Sequence, residues 1–165
     1  SFAIVGLIKG IGNLNRPMLV GLEFEYIIEQ GYEMLRRVAG SGYYIPLWKY
    51  VLQMLILEIL LIITVTAFVF MISTISRSSV IASTLCISIL LGSSIIYGIS
   101  MKYRSLSHLV FLHFGNIDGI VSGSIIGDTG AFGFTPLTVV IVCIISTVVF
   151  LGTALGIFKK RDLLI

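Results

Sequence analysis

The chain has 165 residues, of which 57% are hydrophobic and 12% are charged, and its mean hydropathy is +1.08. Soluble domains carry about 25% charged residues, so this chain has roughly half of the usual solubilising charge. The composition excludes a disordered protein and an ordinary water-soluble enzyme, and it indicates an integral membrane protein. The net charge of +3 comes from scattered basic residues, a distribution that points to membrane topology and not to nucleic acid.

Residues 15–39 have the apolar spacing of an amphipathic helix. The apolar side chains that recur at helical intervals are Val20, Phe24, Ile27, Ile28, Leu35 and Val38. Glu33 and Arg37 stand four residues apart, which supports a helix, and Gly40 and Gly42 are suited to end it. We expect this helix to lie on the membrane surface or to cover a neighbouring element.

The chain opens at Ser1 with neither an initiator methionine nor a signal-peptide pattern. We therefore expect it to be part of a longer protein, with the end of an earlier span at residues 2–8. In this division, residues 1–47 hold the amphipathic helix and an extracytoplasmic loop, and residues 48–165 form the transmembrane region.

Three windows are long and apolar enough to cross a bilayer, which requires about 20 residues. They lie near residues 50–72, 80–101 and 136–158. Only Gln53 and Glu58 interrupt the first window, and the basic cluster at 159–161 closes the third. The short link between the first two windows predicts a tight hairpin with Arg77 at its tip. The predicted fold class is an all-α polytopic membrane protein.

Residues 102–135 are too polar for a comfortable lipid-facing span. We expect a re-entrant or interfacial pair of short helices here, because breaks in a membrane helix are tolerated only against protein or water. Gly119, Gly123 and Gly127 recur every four residues, a spacing that would let a second helix approach closely. The alternative, that they are flexible loop glycines, stays open.

The sequence leaves two topologies open. With three spans, Arg77 and the basic tail share the cytoplasmic side, while Arg36 and Lys102 lie outside. If residues 106–127 formed a fourth span, Arg36 and Lys102 would join the tail inside. Positive-inside counting favours this second arrangement.

Three segments resemble the type-2 ATP-binding-cassette (ABC) permeases. Residues 70–79, FMISTISRSS, are similar to the link between the fourth and fifth spans of that family. Residues 114–118, FGNID, resemble its short extracellular segment after the fifth span, and residues 158–163, FKKRDL, resemble its terminal aromatic and basic cluster. Their order and spacing cover residues 45–165, the last three of the family's six spans.

The resemblance implies the permease subunit of an ABC exporter in the bacterial cytoplasmic membrane, a multi-pass protein surrounded by lipid. Its implied partners are an ABC ATPase subunit and a second permease subunit, as a homodimer or a heterodimer. No nucleic acid, cofactor or catalytic residue is implied. The family topology selects the three-span arrangement over the charge count.

The chain departs from the family pattern in length. The first two spans, most of the third and the cytoplasmic coupling helix that docks on the ATPase have no counterpart. A second alignment, with residues 29–32 on that coupling segment, ranks lower because it forces Arg77 outside. The alternative function is a non-transporting membrane protein, such as an immunity or assembly factor that binds a partner.

Motifs that carry chemistry are missing from the sequence. It contains no phosphate loop, no H-E-x-x-H, no G-x-S-x-G and no cysteine pair at ligand spacing. His108, His113 and Asp118 are five residues apart, which would spread them around a helix, so we expect polar loop residues and no metal site. Cys86 and Cys143 lie in apolar runs and are interpreted as small buried side chains.

Glu58 is the only charged residue inside a predicted span, where a carboxylate costs on the order of 2.5–3.5 kcal/mol by insertion scales. One interpretation is a polar patch on a translocation path or a dimer interface. The other is a protonated glutamic acid bound to a backbone carbonyl. In the third span, Gly152 and Gly156 form a G-x-x-x-G pattern, which predicts a close-packing face but does not require dimerisation.

Overall fold

A computed structural model describes residues 14–29, 32–76, 78–100 and 110–162, without the side chains at 90, 93–100 and 160–162. The predicted end of an earlier span at 2–8 lies outside the described residues, as do Arg77, Lys102 and His108. Four strands come first: β1 (Pro17–Val20), β2 (Phe24–Glu29), β3 (Tyr32–Arg37) and β4 (Tyr43–Pro46). The helices that follow are α1 (Leu47–Ile75), α2 (Ser79–Ser100), a 3-10 helix η1 (Phe111–Gly115), α3 (Ile117–Ser122), α4 (Ser124–Thr129) and α5 (Pro136–Asp162).

The four strands form two antiparallel two-stranded sheets that follow one another along residues 17–46, and we call them together the ribbon. β1 pairs with β4 and β2 pairs with β3, so that one hairpin is nested inside the other. The link between β3 and β4, residues 38–42, is longer than the link between β1 and β2, residues 21–23, and forms a bulge. Gly40 (φ +80°) and Gly42 (φ +91°) bend the chain in this bulge. Across this bulge the Val38 N–H donates to the Glu23 carbonyl at 3.0 Å, which keeps the two halves of the ribbon continuous.

The amphipathic helix predicted for residues 15–39 is wrong. The all-α fold class holds only in part, because the described chain is mostly helical but residues 17–46 form four strands. The apolar residues there fit a helical spacing, but two six-residue strands joined by the two-residue link at 30–31 make a hairpin. Strand pairing places Glu25 opposite Arg36. Glu33 and Arg37 therefore do not lie on adjacent turns, because four residues of a strand extend over about 13 Å.

The helices predicted near 50–72, 80–101 and 136–158 are confirmed as helices, each with slightly different ends. In the described part of the chain, Leu47–Ile75 and Pro136–Lys159 are long and apolar enough to cross a membrane, whereas the apolar stretch Ser79–Ile89 is shorter. The first backbone N–H of α1 is bonded to the segment just before β1, since the Leu47 N–H donates to the Arg16 carbonyl at 2.9 Å.

Helices α1 and α5 pack side by side and run in the same direction. Thr64 meets Thr147 with hydroxyl oxygens 3.1 Å apart, and one turn further along both helices Phe68 and Phe150 have ring centroids 5.3 Å apart. A fourth span at 106–127 would make these helices antiparallel. It does not form, because residues 111–129 are divided among η1, α3 and α4, none longer than 6 residues.

Candidate functional site: the cap and the outward helix faces

Residues 110–135, which we call the cap, cover the N-terminal ends of α1 and α5. The Asn116 side chain accepts a hydrogen bond from the Gly119 N–H at 3.0 Å and so starts α3. Gly123 (φ +83°) and Gly130 (φ +66°) end α3 and α4 in the left-handed conformation that glycine adopts without cost. The cap has its own apolar centre, in which the rings of Phe114 and Phe134 are fully buried and meet edge to face at 6.2 Å.

The glycine series of the cap lies against the ribbon and not against a second helix. A Cβ built on Gly123 would be 2.5 Å from the Leu22 carbonyl oxygen, and one on Gly127 would be 2.8 Å from the Phe24 ring. The Leu22 N–H donates to the Ser122 carbonyl at 3.0 Å, so the two backbones touch here. The third glycine, Gly119, instead makes room for the Asn116 amide of its own helix, at 2.6 Å from an added Cβ.

Tyr26 makes a second attachment of the ribbon to the cap. Its hydroxyl donates to the Gly130 carbonyl at 2.8 Å, and its ring meets Phe132 edge to face at 5.3 Å. The ribbon therefore rests on the cap through the side that carries Phe24 and Tyr26. Residues of the opposite parity on β2 face away from the cap.

The first part of the cap runs deep between the long helices. The ring of Phe111 lies 5.6 Å from that of Phe68 and 5.4 Å from that of Phe150, well along both helices. At the helix start, the Tyr50 hydroxyl donates to the carboxylate of Asp118. Tyr50 and Phe68 are separated by about 27 Å at about 1.5 Å per residue, so the side-chain contacts of residues 111–118 are spread over more than half of α1. The pair of short helices predicted here is present as α3 and α4, whereas its re-entrant or interfacial position stays a prediction.

Thr64 provides the polar contact between α1 and α5. Its side chain is fully buried, and its hydroxyl lies 2.9 Å from the Leu60 carbonyl, 3.3 Å from the Cys143 carbonyl and 3.1 Å from the Thr147 hydroxyl. A hydroxyl that bonds across two apolar helices fixes their register, because a shift of one helix along its axis would break the hydrogen bonds to the second helix.

Thr64→Val is expected to lower the free energy of unfolding by about 1 kcal/mol, the usual size of an interhelical hydrogen bond in a membrane protein. The matched control is Thr66→Val. The Thr66 side chain is exposed, and its hydroxyl bonds only to the Ile62 carbonyl of its own helix at 2.8 Å. Thermal unfolding in detergent measures both variants, and equal losses would contradict an interhelical role.

Glu58 points outward from α1. Its neighbour Leu57 is buried against the rest of the bundle, whereas Glu58 is exposed. In the described part of the chain, its carboxylate makes no hydrogen bond and no ion pair. The observed geometry thus lacks the backbone carbonyl that the structural interpretation of Glu58 required.

Exposed amphipathic side chains lie on β4 and on the first turn of α1 that follows it. Tyr43, Tyr44 and Trp48 are exposed, and the Lys49 ammonium lies 5.5 Å from the Trp48 ring centroid. Such residues collect at membrane–water interfaces, where one end of each side chain is apolar and the other is hydrated. Glu58 lies ten residues further along α1, or about 15 Å at about 1.5 Å per residue.

The remaining predicted positions are separate from these contacts. Added Cβ atoms on Gly152 and Gly156 would have no heavy atom within 4 Å, so this pattern packs against nothing in the described part of the chain. Cys86 and Cys143 are buried and unpaired with each other. Within the described ranges, no group of three or more His, Cys, Asp or Glu side chains is placed to hold a metal ion.

Sequence reasoning did not identify Tyr50, Thr64 or Tyr26 as contact residues. Each carries a hydroxyl group next to apolar residues in the sequence, and this local pattern was the signal that could have pointed to a polar contact. The partners lie 68, 83 and 104 residues away along the chain, so no local pattern names them. Comparisons with protein-family models, curated proteins and solved structures found no match to this chain.

Proposed function

We propose that the chain is a membrane-spanning permease subunit of an ABC exporter, which moves its substrate with energy from a separate ATPase subunit. The observation that carries this proposal is the outward exposure of the two long apolar helices. Only 22% of the most apolar window of α1 and 17% of that of α5 is buried. A core helix of a soluble protein would be mostly buried, whereas a membrane-spanning helix exposes apolar side chains on the face that contacts lipid.

The direction of the helices supports the same topology as the permease resemblance. Because α1 and α5 are parallel, the α1–α2 hairpin and the end of α5 lie at one end of the bundle. The ribbon, the cap and the exposed aromatic residues Tyr43, Tyr44 and Trp48 lie at the other end of the bundle. In the proposed permease the first end is cytoplasmic and the second is extracytoplasmic.

Single cysteines introduced at Ser76 and Lys159 are expected to react with a membrane-impermeant thiol reagent only from the cytoplasmic side. Cysteines at Arg36 and Tyr44 are expected to react only from outside. The parent chain, with Cys86 and Cys143 buried, provides the background. Labelling of position 36 from the cytoplasmic side would overturn the topology.

The purified chain is expected to hydrolyse no ATP by itself, because its sequence has no phosphate loop. In the native membrane, it is expected to co-purify with an ATPase subunit that carries one. ATP turnover by the isolated chain, with contaminants excluded, would contradict this division of labour. Co-purification with a protein that has no nucleotide-binding site would instead favour the partner-binding alternative.

A further inference from the structure

The outer edge of strand β3 is unpaired in the described structure. Glu29 and Tyr32 stand opposite each other on either side of the two-residue link, a position that is expected to be a hydrogen-bonded pair. Antiparallel pairing alternates, and the bond from the Val38 N–H to the Glu23 carbonyl fits the same alternation. The backbone N–H and C=O groups of Glu33, Leu35 and Arg37 therefore point away from β2. We call these three residues the β3 edge.

An edge of this kind is a template for another strand. An isolated two-stranded hairpin is marginally stable in water, and three or more strands are the usual requirement. Within the described ranges, no strand, helix or side chain bonds to the backbone groups of the β3 edge. Its residues also carry both signs of charge, an acid at one end and a base at the other.

The charges select one register for pairing with an identical strand. Two copies of an antiparallel edge are related by a two-fold axis normal to the sheet, which places like faces together. Centring that axis on Leu35 puts Glu33 of each copy directly opposite Arg37 of the other. In the same register the backbone N–H and C=O groups of all three residues of each β3 edge face those of the β3 edge in the other copy. Moving the centre to Met34 leaves Arg37 beyond the paired strand, and moving it to Arg36 brings two arginines face to face.

The other edge of the ribbon lacks this complementarity. Self-pairing of β2 centred on Tyr26 would place Glu23 opposite Glu29 of the second copy. Centring it on Ile27 would place Glu25 opposite Glu29. Like charges directly opposite each other destabilise a sheet, so β2 is the disfavoured edge.

We propose that the β3 edges of two copies of this chain pair antiparallel about Leu35 and join the ribbons into one four-stranded sheet. This rests on the proposed function, in which two membrane subunits pair, and it names a contact surface and favours a homodimer. Two Glu33–Arg37 pairs flank the two-fold axis. The side of the ribbon that carries Phe24 and Tyr26 continues to rest on the cap of each copy.

Leu35→Cys tests the register by disulfide cross-linking of the full chain in membranes, without any ATPase subunit. Residues opposite each other in a hydrogen-bonded pair have Cα atoms about 5.5 Å apart, which a disulfide spans. Met34→Cys is the matched control, since Met34 is more exposed but would face Arg36 of the second copy. We expect at least about five times more cross-linked dimer for Leu35→Cys.

Charge exchange tests the specificity in the Leu35→Cys background. Glu33→Arg alone and Arg37→Glu alone each oppose like charges and are expected to reduce cross-linking about fivefold. The two substitutions together restore opposite charges and are expected to recover it. Recovery also excludes misfolding as the cause of the single losses, because the double variant is the more heavily altered.

Three outcomes overturn the proposal: no dimer for Leu35→Cys, equal yields for Met34→Cys, or single and double charge variants that behave alike. Preferential cross-linking of Ile28→Cys would assign the contact to the β2 edge and would also overturn it. The result is separable from the proposed function. ATP-driven export with no Leu35 cross-link leaves the permease standing and removes this contact, whereas the cross-link without export does the reverse.

Discussion

Gly123→Ala is expected to detach the ribbon from the cap and to lower the free energy of unfolding by about 3 kcal/mol. Two effects add. The residue has φ +83°, which costs an alanine about 1 kcal/mol or more, and an added Cβ would lie 2.5 Å from the Leu22 carbonyl oxygen and 2.7 Å from its nitrogen. Both neighbours are backbone atoms, so no side chain can rotate away. The ribbon must move instead, which breaks the bond from the Leu22 N–H to the Ser122 carbonyl.

Two glycines of the same chain separate these effects. Gly40→Ala has the strain without the clash, since φ is +80° and nothing lies within 4 Å, and it is expected to cost about 1 kcal/mol. Gly115→Ala has neither and is expected to be nearly neutral. Thermal unfolding in detergent ranks the three variants, and tryptic cleavage at Arg36 and Arg37 reports ribbon release. Equal losses for Gly123→Ala and Gly40→Ala would contradict the close approach of Leu22.

The long helices could be predicted from the sequence because their signal is local. A run of about 20 apolar residues is sufficient evidence by itself, and the edges at Leu47, Ile75 and Pro136 differ from the prediction by a few residues at most. The third helix begins at Pro136, the first residue of the predicted window. The sequence supported a helical reading of both 50–72 and 136–158 without reference to any partner.

The ribbon could not be recognised in the same way. Phe24, Ile27, Ile28 and Leu35 fit a helical spacing, while only Phe24, Glu25 and Tyr26 alternate between apolar and polar residues as a strand does. What decides between them is contact with the cap, about a hundred residues further along the chain. The two-residue link at 30–31, with its glycine, was the local signal that favoured a hairpin.

The contacts of the candidate site show the same limit. The four-residue spacing of Gly119, Gly123 and Gly127 predicted a close approach, but spacing carries no information about what approaches. The partner of Gly123 is the backbone of Leu22, which no side-chain pattern announces. Glu58 is the converse case, since its unusual place in an apolar run drew attention, and only the fold reveals that it faces outward.

The position of Glu58 restricts what it can do in a membrane. It lies about 15 Å along α1 from Trp48, near the middle of a hydrocarbon core of about 30 Å. On that surface it is exposed, and in the described part of the chain its carboxylate has no hydrogen-bond partner. A carboxylate facing lipid at this depth costs on the order of 2.5–3.5 kcal/mol by insertion scales. We therefore expect water or a second subunit, and not lipid, to cover this side of α1.

Glu58→Gln is expected to reduce ATP-driven export about tenfold while membrane insertion and ATPase association stay normal, because glutamine keeps the shape and the hydrogen bonding but removes the titratable charge. Ile59→Gln is the matched control, since it places the same amide on the next exposed residue of α1 and is expected to leave export unchanged. Glu58→Leu separates function from stability: it should abolish export, whereas a purely structural glutamic acid would tolerate leucine with an equal or higher melting temperature. Export by inverted vesicles and melting in detergent measure all three variants. Unchanged export in both Glu58 variants would remove this residue from the translocation path.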